Sequence, residues 1–444
     1  MPDKAPTAIS APGKVFLAGG YLVLDREYTA LVFGLSARIN VVAREIKTSP
    51  GVQLSEIVVD SPQFLEAQWR YGYHLAPEDG GIKVTQLHSG EKVDSNPFVE
   101  VTLCYALSYI ANTAFRSSPQ TFDPAQFTIL ADNDYYSQPH SMTGTDKNPT
   151  RFAKFPTTLK GANKTGLGSS AALVTALTAA LLTYYMPQAD FDITTTEGKR
   201  ILHNLAQAAH CAAQGKVGSG FDIAAAVYGS CLYRRFSPSV LKAIPEANAP
   251  TFGPALTKLI NGSSWDVEVV KEGVSVPPGT VLRMCDVDCG SQTVGMVKKV
   301  LAWRAANPDV SKTLCDELQS RNVKLGSILS EGKLDEIRPA VAGIRELLRS
   351  LGTQSDVPIE PESQTALLDA LMGIEGVYNG VVPGAGGYDA VALLMKDDEA
   401  TEKRVKDFVA NWSKEKGGQV RLLGVKGEME GARREDMKEY DGWV

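Results

Sequence analysis

Lys164-Thr-Gly-Leu-Gly-Ser-Ser-Ala-Ala-Leu173 decides the reading, because two glycines and two serines open directly onto a long Ala/Leu/Thr run with helical potential. Glycines let backbone N–H groups approach phosphate oxygens, and the unpaired amides and dipole of a helix's first turn favour negative charge. Ser169 and Ser170 add hydroxyls suited to phosphate or Mg²⁺. An ordinary N-capped core helix satisfies the same pattern. A Walker A loop is excluded, since Gly161 to Gly166 is followed by Leu167 and Gly168 instead of Lys-Ser/Thr. Gly166-Leu-Gly-Ser-Ser-Ala171 also fits the relaxed dinucleotide pattern, with Asp190 near the spacing of a ribose-binding acid. The flanks oppose it: Arg151 to Lys160 is no buried parallel strand, and Asp190 does not end an apolar one.

Working outward, 444 residues suffice for two or three domains, each with its own core. Hydrophobic residues at 43% and charged residues at 22% are those of an ordinary globular protein. A net charge of −6 supplies no basic field for nucleic acid or an anionic membrane, so anionic ligands must be held by local groups. Six cysteines show no metal-ligand spacing, and Cys285-Asp-Val-Asp-Cys289 has no second pair, which points to reduced thiols in the cytosol. Met-Pro-Asp-Lys-Ala-Pro lacks the features of a secretory signal or presequence, and the chain ends Asp-Gly-Trp-Val444 without a Ser-Lys-Leu address. The apolar run 171–186 is too short to span a bilayer and carries three threonines, so it reads as a buried helix.

Strands are expected at 15–18, 30–33, 39–43, 52–59 and 127–130, with a helix from Pro97 and helices at 170–184, 196–213 and 219–229. Residues 61–96 read as a peripheral excursion and 137–163 as a polar connection. A second unit is expected after Phe236, where prolines punctuate the chain, dividing it into 1–236 and 237–444. Its strands fall near 265–270, 280–286, 388–395 and 419–424, and its helices near 292–306, 311–330, 335–351, 362–373 and 400–413. The mixture does not alternate strictly, which argues for α+β, and the charged tail after Leu423 reads as a solvated end.

Three further segments carry chemistry. Ala11-Pro-Gly-Lys-Val-Phe-Leu-Ala-Gly-Gly-Tyr21 puts Lys14 at the head of an apolar strand, aimed at whatever the turn faces or simply at solvent. Val381-Val-Pro-Gly-Ala-Gly-Gly-Tyr-Asp-Ala390 crowds glycines between two strands, as a ligand-hugging backbone or a tight hairpin requires. Ala209-His-Cys-Ala-Ala-Gln-Gly-Lys-Val-Gly-Ser-Gly-Phe-Asp222 ends with a carboxylate in a helix's first turn, where it is catalytic or only dipole-stabilised. His210, on an Ala-rich helix, reads as a satisfied core histidine, and the five dispersed histidines build no Ser/His/Asp order.

The ordered set of a Pro-Gly-Lys strand, a Gly-Leu-Gly-Ser-Ser-Ala loop and a late Gly-rich loop resembles the GHMP kinases over nearly the whole chain. Residues 209–222, Gly19-Gly-Tyr-Leu-Val-Leu24 and Asp132-Asn-Asp-Tyr-Tyr-Ser137 resemble its phosphomevalonate branch, in the longer fungal form. The resemblance implies an N-terminal domain like ribosomal protein S5 domain 2, a ferredoxin-like α+β C-terminal domain, and an active site between them. It also implies transfer of the ATP γ-phosphoryl to (R)-5-phosphomevalonate. Carried over, the ATP loop falls on Gly166, Leu167, Gly168, Ser169 and Ser170, the active-site lysine on Lys14, and the catalytic aspartate on Asp222. Gly384, Ala385, Gly386 and Gly387 match the motif that closes over phosphates and substrate. The chain departs from mevalonate kinases at Gly19-Gly20-Tyr21, where they have Gly-Glu-His, and near His210 and Cys211, where they carry a Mg²⁺-binding glutamate. Mg²⁺ is therefore expected on the ATP phosphates, Ser169 or Ser170, and waters.

The acceptor implied is a phosphate monoester, mostly deprotonated at pH 7, so alignment and charge neutralisation outweigh a strong base. Lys14 is expected to bridge the two anions while Asp222 orients it. Tyr21, Lys164, Lys216, Ser219, Ser291 and Thr293 are the further substrate-binding candidates, the last two equally suited to N-capping. The alternatives are another GHMP enzyme, mevalonate kinase or diphosphomevalonate decarboxylase, or a metabolite sensor on the same fold. A cytoplasmic monomer or homodimer without nucleic-acid or membrane partners completes the expectation.

Overall fold

The computed structural model describes residues 4–49, 55–88, 93–114, 122–137, 151–287, 293–416 and 419–444. At its centre lie β1 (Thr7–Ala18) and β2 (Ala30–Glu45), an antiparallel pair whose buried residues run almost without interruption. The two short strands expected at 30–33 and 39–43 are one long strand, because Gly34 to Arg38 continue the extended backbone through an irregularity opposite Pro12 and Gly13. That register shift re-aims the next residue of β1, Lys14.

The sheet continues from β2 to β6 (Ala125–Ala131), then to β3 (Glu56–Asp60), β4 (Gln68–Leu75) and β5 (Ile82–Leu87). Residues 61–96 are thus not an excursion: β4 and β5 form a hairpin that widens the sheet, with Trp69 and Tyr71 buried. Against it pack α1 (Pro97–Thr113), α2 (Ser169–Tyr185), α3 (Thr196–Gln214) and α4 (Phe221–Tyr228). Helix α2 is buried on every side, as a helix apolar all round must be, and its alanines allow close approach by β1, α1 and α3. Asn96 caps α1 by accepting from Val99 N, and Thr195 caps α3 from Gly198 N.

β7 (Cys231–Arg234) pairs with β2 and with β8 (Glu268–Val270), and α5 (Phe252–Asn261) lies between them in the chain. There follow β9 (Thr280–Val287), α6 (Thr293–Ala306), α7 (Pro308–Ser330), α8 (Leu334–Ser355), α9 (Glu362–Met372), β10 (Val377–Val381), β11 (Ala390–Lys396), α10 (Glu399–Lys416) and β12 (Val420–Glu428). The spatial order β12-β9-β11-β10 is that of a ferredoxin-like unit, two split βαβ turns in one antiparallel sheet. The α+β architecture with this two-part layout agrees with the expectation.

Hydrogen bonding nevertheless crosses the expected division at 236/237 repeatedly, through β7–β8, through β12 with β2, and through β13 (Arg433–Glu435) with β1. The charged tail is not a free end: many of its charges face solvent, but the segment is docked on the sheet. Tyr440 is fully buried, donates to Asn40 Oδ1 at 2.9 Å and stacks on Phe152, while the tail's charges meet a buried arginine of β2, Arg38. Among the described residues no helix is long and apolar enough to cross a membrane.

Candidate active site

The head of α2 is open. Its N-cap is Gly168, in the left-handed region at φ +84°, and no side chain caps the first-turn amides. Gly166 also has positive φ (+74°), with nothing near the place a Cβ would occupy, so this stretch of backbone is bare toward solvent. From behind, the loop is held firmly. Lys14 N donates to Leu167 O (2.9 Å), Thr165 N to Tyr135 O (3.1 Å), Thr165 Oγ1 to Asp134 O (2.6 Å) and Ser137 N to Asn163 O (2.9 Å). The Asp132–Ser137 segment singled out in the sequence is therefore the buttress of the glycine loop that leads into α2.

Lys14 lies across this loop. Its Nζ donates to Gly166 O at 3.1 Å, and its stem rests so closely on Gly168 that a Cβ there would stand 3.0 Å from Cε and 3.1 Å from Cγ. The ammonium sits 5.7 Å from the Phe221 ring centre. Burial pulls the Lys14 pKa below the ordinary lysine value, while the negative charge of Asp222 opposes that shift. Asp222 stands in the first turn of α4 behind Gly220, itself at φ +85° and wedged against Tyr233, Gln207 and Phe236. Its Oδ1 accepts from Ile223 N (3.0 Å). Arg235 ties the approach to this helix to the β1–β2 turn by donating to Gly218 O (3.0 Å) and Leu24 O (2.7 Å).

Gly168→Ala is expected to keep the fold but displace Lys14, through both the positive φ and the added methyl. Turnover should fall by about 10²-fold, the scale of an ångström-level misplacement. Unchanged steady-state turnover in this variant would show that Lys14 need not lie on the loop.

The third glycine loop docks on the first motif. A Cβ at Gly20 would collide with Gly384 O, and Tyr21 donates to Ala385 O at 2.7 Å. Gly386 is pressed against Ile359 O, which accepts from Gly387 N at 3.0 Å. Tyr21 is buried, with its hydroxyl engaged by backbone, so it props the loop instead of presenting a free group to substrate. Lys14, the 166–170 loop and Asp222 thus share one region, and the 384–387 loop adjoins it through Gly20 and Tyr21.

Lys164 and Lys216 are not brought together. Lys164 is exposed at the rim of an apolar cleft beside Ser169 and Ser170, walled by Trp69, Phe98, Tyr136 and Leu159. Lys216 is exposed beyond the left-handed Gly215 that ends α3, beside a groove lined by Tyr105, Leu241 and Ile244. Ser219 is half-buried just before Asp222, and its carbonyl accepts from Tyr233 at 2.8 Å. Ser291 and the Thr293 side chain lie outside the described residues. The aromatic cleft was missed in the sequence, because its walls come from β4, α1 and a turn that share no linear signature. Among the described residues no cluster of three or more His, Cys, Asp and Glu side chains could hold a metal.

Residues 154–230 match the family model described as the GHMP kinases N terminal domain. The chain is similar to a phosphomevalonate kinase of Gibberella zeae, 65% identical over 446 residues that cover 100% of each chain. It is also similar to one of Aspergillus fumigatus, 43% identical over 487 residues with 99% of each covered. Among solved structures, Streptococcus pneumoniae phosphomevalonate kinase in complex with phosphomevalonate and AMPPNP aligns with a TM-score of 0.63 at 18% identity, over 95% of this chain and 99% of that one. At that identity the likeness is one of fold.

Proposed function

The chain belongs to the GHMP kinases, in their phosphomevalonate kinase branch, and from that premise we propose that it transfers the γ-phosphoryl of ATP to (R)-5-phosphomevalonate, giving 5-diphosphomevalonate and ADP. The observation that carries the chemistry is Lys14 lying across the uncapped head of α2, within the electrostatic reach of Asp222. Two crowded anions must meet for this reaction, so the protein's main contribution is neutralisation and alignment. The amides of α2 take the ATP phosphates, and Lys14 leaves Gly166 O to bridge the transferring group and the acceptor. Asp222 orients Lys14 and takes up any residual proton. Lys216 and Ser219, on the approach to Asp222, serve the acceptor side. Lys164 and the aromatic cleft serve the nucleotide side, and the 384–387 loop closes over the phosphates.

The donor set fits Mg²⁺: hard hydroxyl oxygens of Ser169 and Ser170 stand beside the proposed phosphate site, as suits a cation that keeps waters and substrate oxygens. When bound, Mg²⁺ offsets charge on the phosphate oxygens. Five buried, unpaired cysteines among the described residues support a reducing compartment, and we take the cytosol as the location.

A coupled ADP-release assay with mevalonate, phosphomevalonate and diphosphomevalonate tests the reading. ADP should appear with phosphomevalonate and Mg²⁺, and chelation of Mg²⁺ should abolish it. Turnover of mevalonate or diphosphomevalonate instead would assign the chain to another GHMP reaction, and binding of ATP and phosphomevalonate without ADP release would make it a sensor.

A further inference from the structure

His210 is 2% exposed, yet it sits between Ser170 and Asp222, and phosphoryl transfer as proposed above does not call on it. It projects from α3 between two other helices. Its Nε2 lies 3.2 Å from Ser170 Oγ at the head of α2, and its Nδ1 lies 4.0 Å from Asp222 Oδ2 on α4. Gln214, one turn along α3, places its side-chain amide nitrogen 3.2 Å from the same Nε2. The Phe98 ring packs beside the imidazole at 5.7 Å between centres and also walls the cleft next to Ser170.

With the Gln214 amide oriented so that its nitrogen faces the ring, Nε2 accepts and the ring proton is assigned to Nδ1, facing Asp222. Ser170 Oγ stands at the same 3.2 Å from Nε2, so its hydroxyl hydrogen and the Gln214 amide share that one lone pair. With its hydrogen turned toward the ring, the Ser170 oxygen keeps lone pairs that point away from it. A hydroxyl in that state is a better donor to a hard cation than one free to rotate. On the other side, 4.0 Å is too long for a hydrogen bond, and the Nδ1–H dipole acts on Asp222 electrostatically.

We infer that His210 is a positioning residue which, through Ser170 and Asp222, presets the metal-binding hydroxyl on α2 and the carboxylate on α4 at the same time. The inference rests on the reading that Ser170 faces the Mg²⁺–ATP complex. His210 itself touches neither nucleotide nor acceptor.

The test uses the full chain without acceptor, measuring ATP binding by calorimetry with and without Mg²⁺. Ser170→Ala and His210→Leu should each lose about 10-fold of the tightening that Mg²⁺ gives, the scale expected for removing an outer partner of a metal ligand. In His210→Leu, affinity for metal-free ATP should not change. His210→Gln, whose side-chain oxygen reaches the Nε2 position, should restore the Mg²⁺ effect, and the double variant with Ser170→Ala and His210→Leu should be no worse than Ser170→Ala alone. If Ser170→Ala loses the Mg²⁺ effect while His210→Leu keeps it, or the two losses add, this inference is overturned and the metal reading stands. If Ser170→Ala keeps the effect, the metal reading falls and takes the inference with it. Should the leucine variant not fold, imidazole ¹⁵N NMR decides on the unaltered protein. A bare Nε2 whose resonance shifts in Ser170→Ala is expected, and a protonated Nε2 overturns the tautomer on which everything here depends.

Discussion

Lys14→Ala is expected to lower kcat on the order of 10³-fold or more, while Asp222→Asn loses only about 10- to 100-fold. The first figure is the scale for removing a cation from a phosphoryl-transfer site, and the second is what remains if the carboxylate aligns a neighbour instead of serving as an obligatory base. The two differ because the acceptor's second ionisation, near pH 6, has already freed the attacking oxygen at pH 7. A pH profile adds a signed check. Lys14 must carry its charge to act, and burial lowers its pKa, so activity should decline on the alkaline side below the ordinary lysine range. Asp222 holds that pKa up, so Asp222→Asn should move the decline to lower pH. Equal and complete loss in both variants, with both substrates still bound, would contradict this division of roles.

The second large effect concerns stability. Arg38, 1% exposed in the middle of β2, donates from Nε to Ser10 Oγ at 2.6 Å and from Nη2 to Gly431 O, and it lies 3.4 Å from Glu428 and 3.6 Å from Glu435. It is the peg on which the returning tail is fastened to β1 and β2. Arg38→Met removes the buried cation of the cluster and leaves Glu428 and Glu435 with only the more exposed Arg433, at a cost of about 3 kcal/mol, the low end for a broken buried pair. Urea unfolding should show a lower midpoint with little change in slope, and limited proteolysis should attack residues 425–444 first. An unchanged midpoint would mean that the tail is held by Tyr440 and Phe152 packing alone.

Much of the site was legible in the sequence because its parts are made by glycine. Gly166, Gly168, Gly220, Gly384, Gly386 and Gly387 all have positive φ, a conformation that marks itself in the residue type, and each stands in a segment recognised as chemistry-bearing. Helix α2 was readable from its apolar composition. Other features depend on distance along the chain. Trp69-Arg-Tyr-Gly-Tyr73 alternates as a half-buried strand does, but the Gly, Pro, Asp and His around it masked the alternation, so the β4–β5 hairpin passed for loop, and with it the aromatic cleft. Pro254 read as punctuation, but it sits in the first turn of α5, where a missing N–H costs nothing. Glu428 and Glu435 looked solvated, because their partner Arg38 lies some four hundred positions earlier. His210 was read correctly as satisfied, but what satisfies it could not be seen in the linear order.

The central claim is that Lys14 joins two anions at the head of α2. The most direct measurement is a crystal structure with a non-hydrolysable ATP analogue, Mg²⁺ and phosphomevalonate bound together. Lys14 Nζ should leave Gly166 O and lie within about 3 Å of oxygens on both the terminal phosphoryl and the acceptor phosphate, with the α2 amides on the nucleotide phosphates. A ternary complex in which Lys14 stays on Gly166 O, while the two phosphates meet elsewhere, would contradict the account.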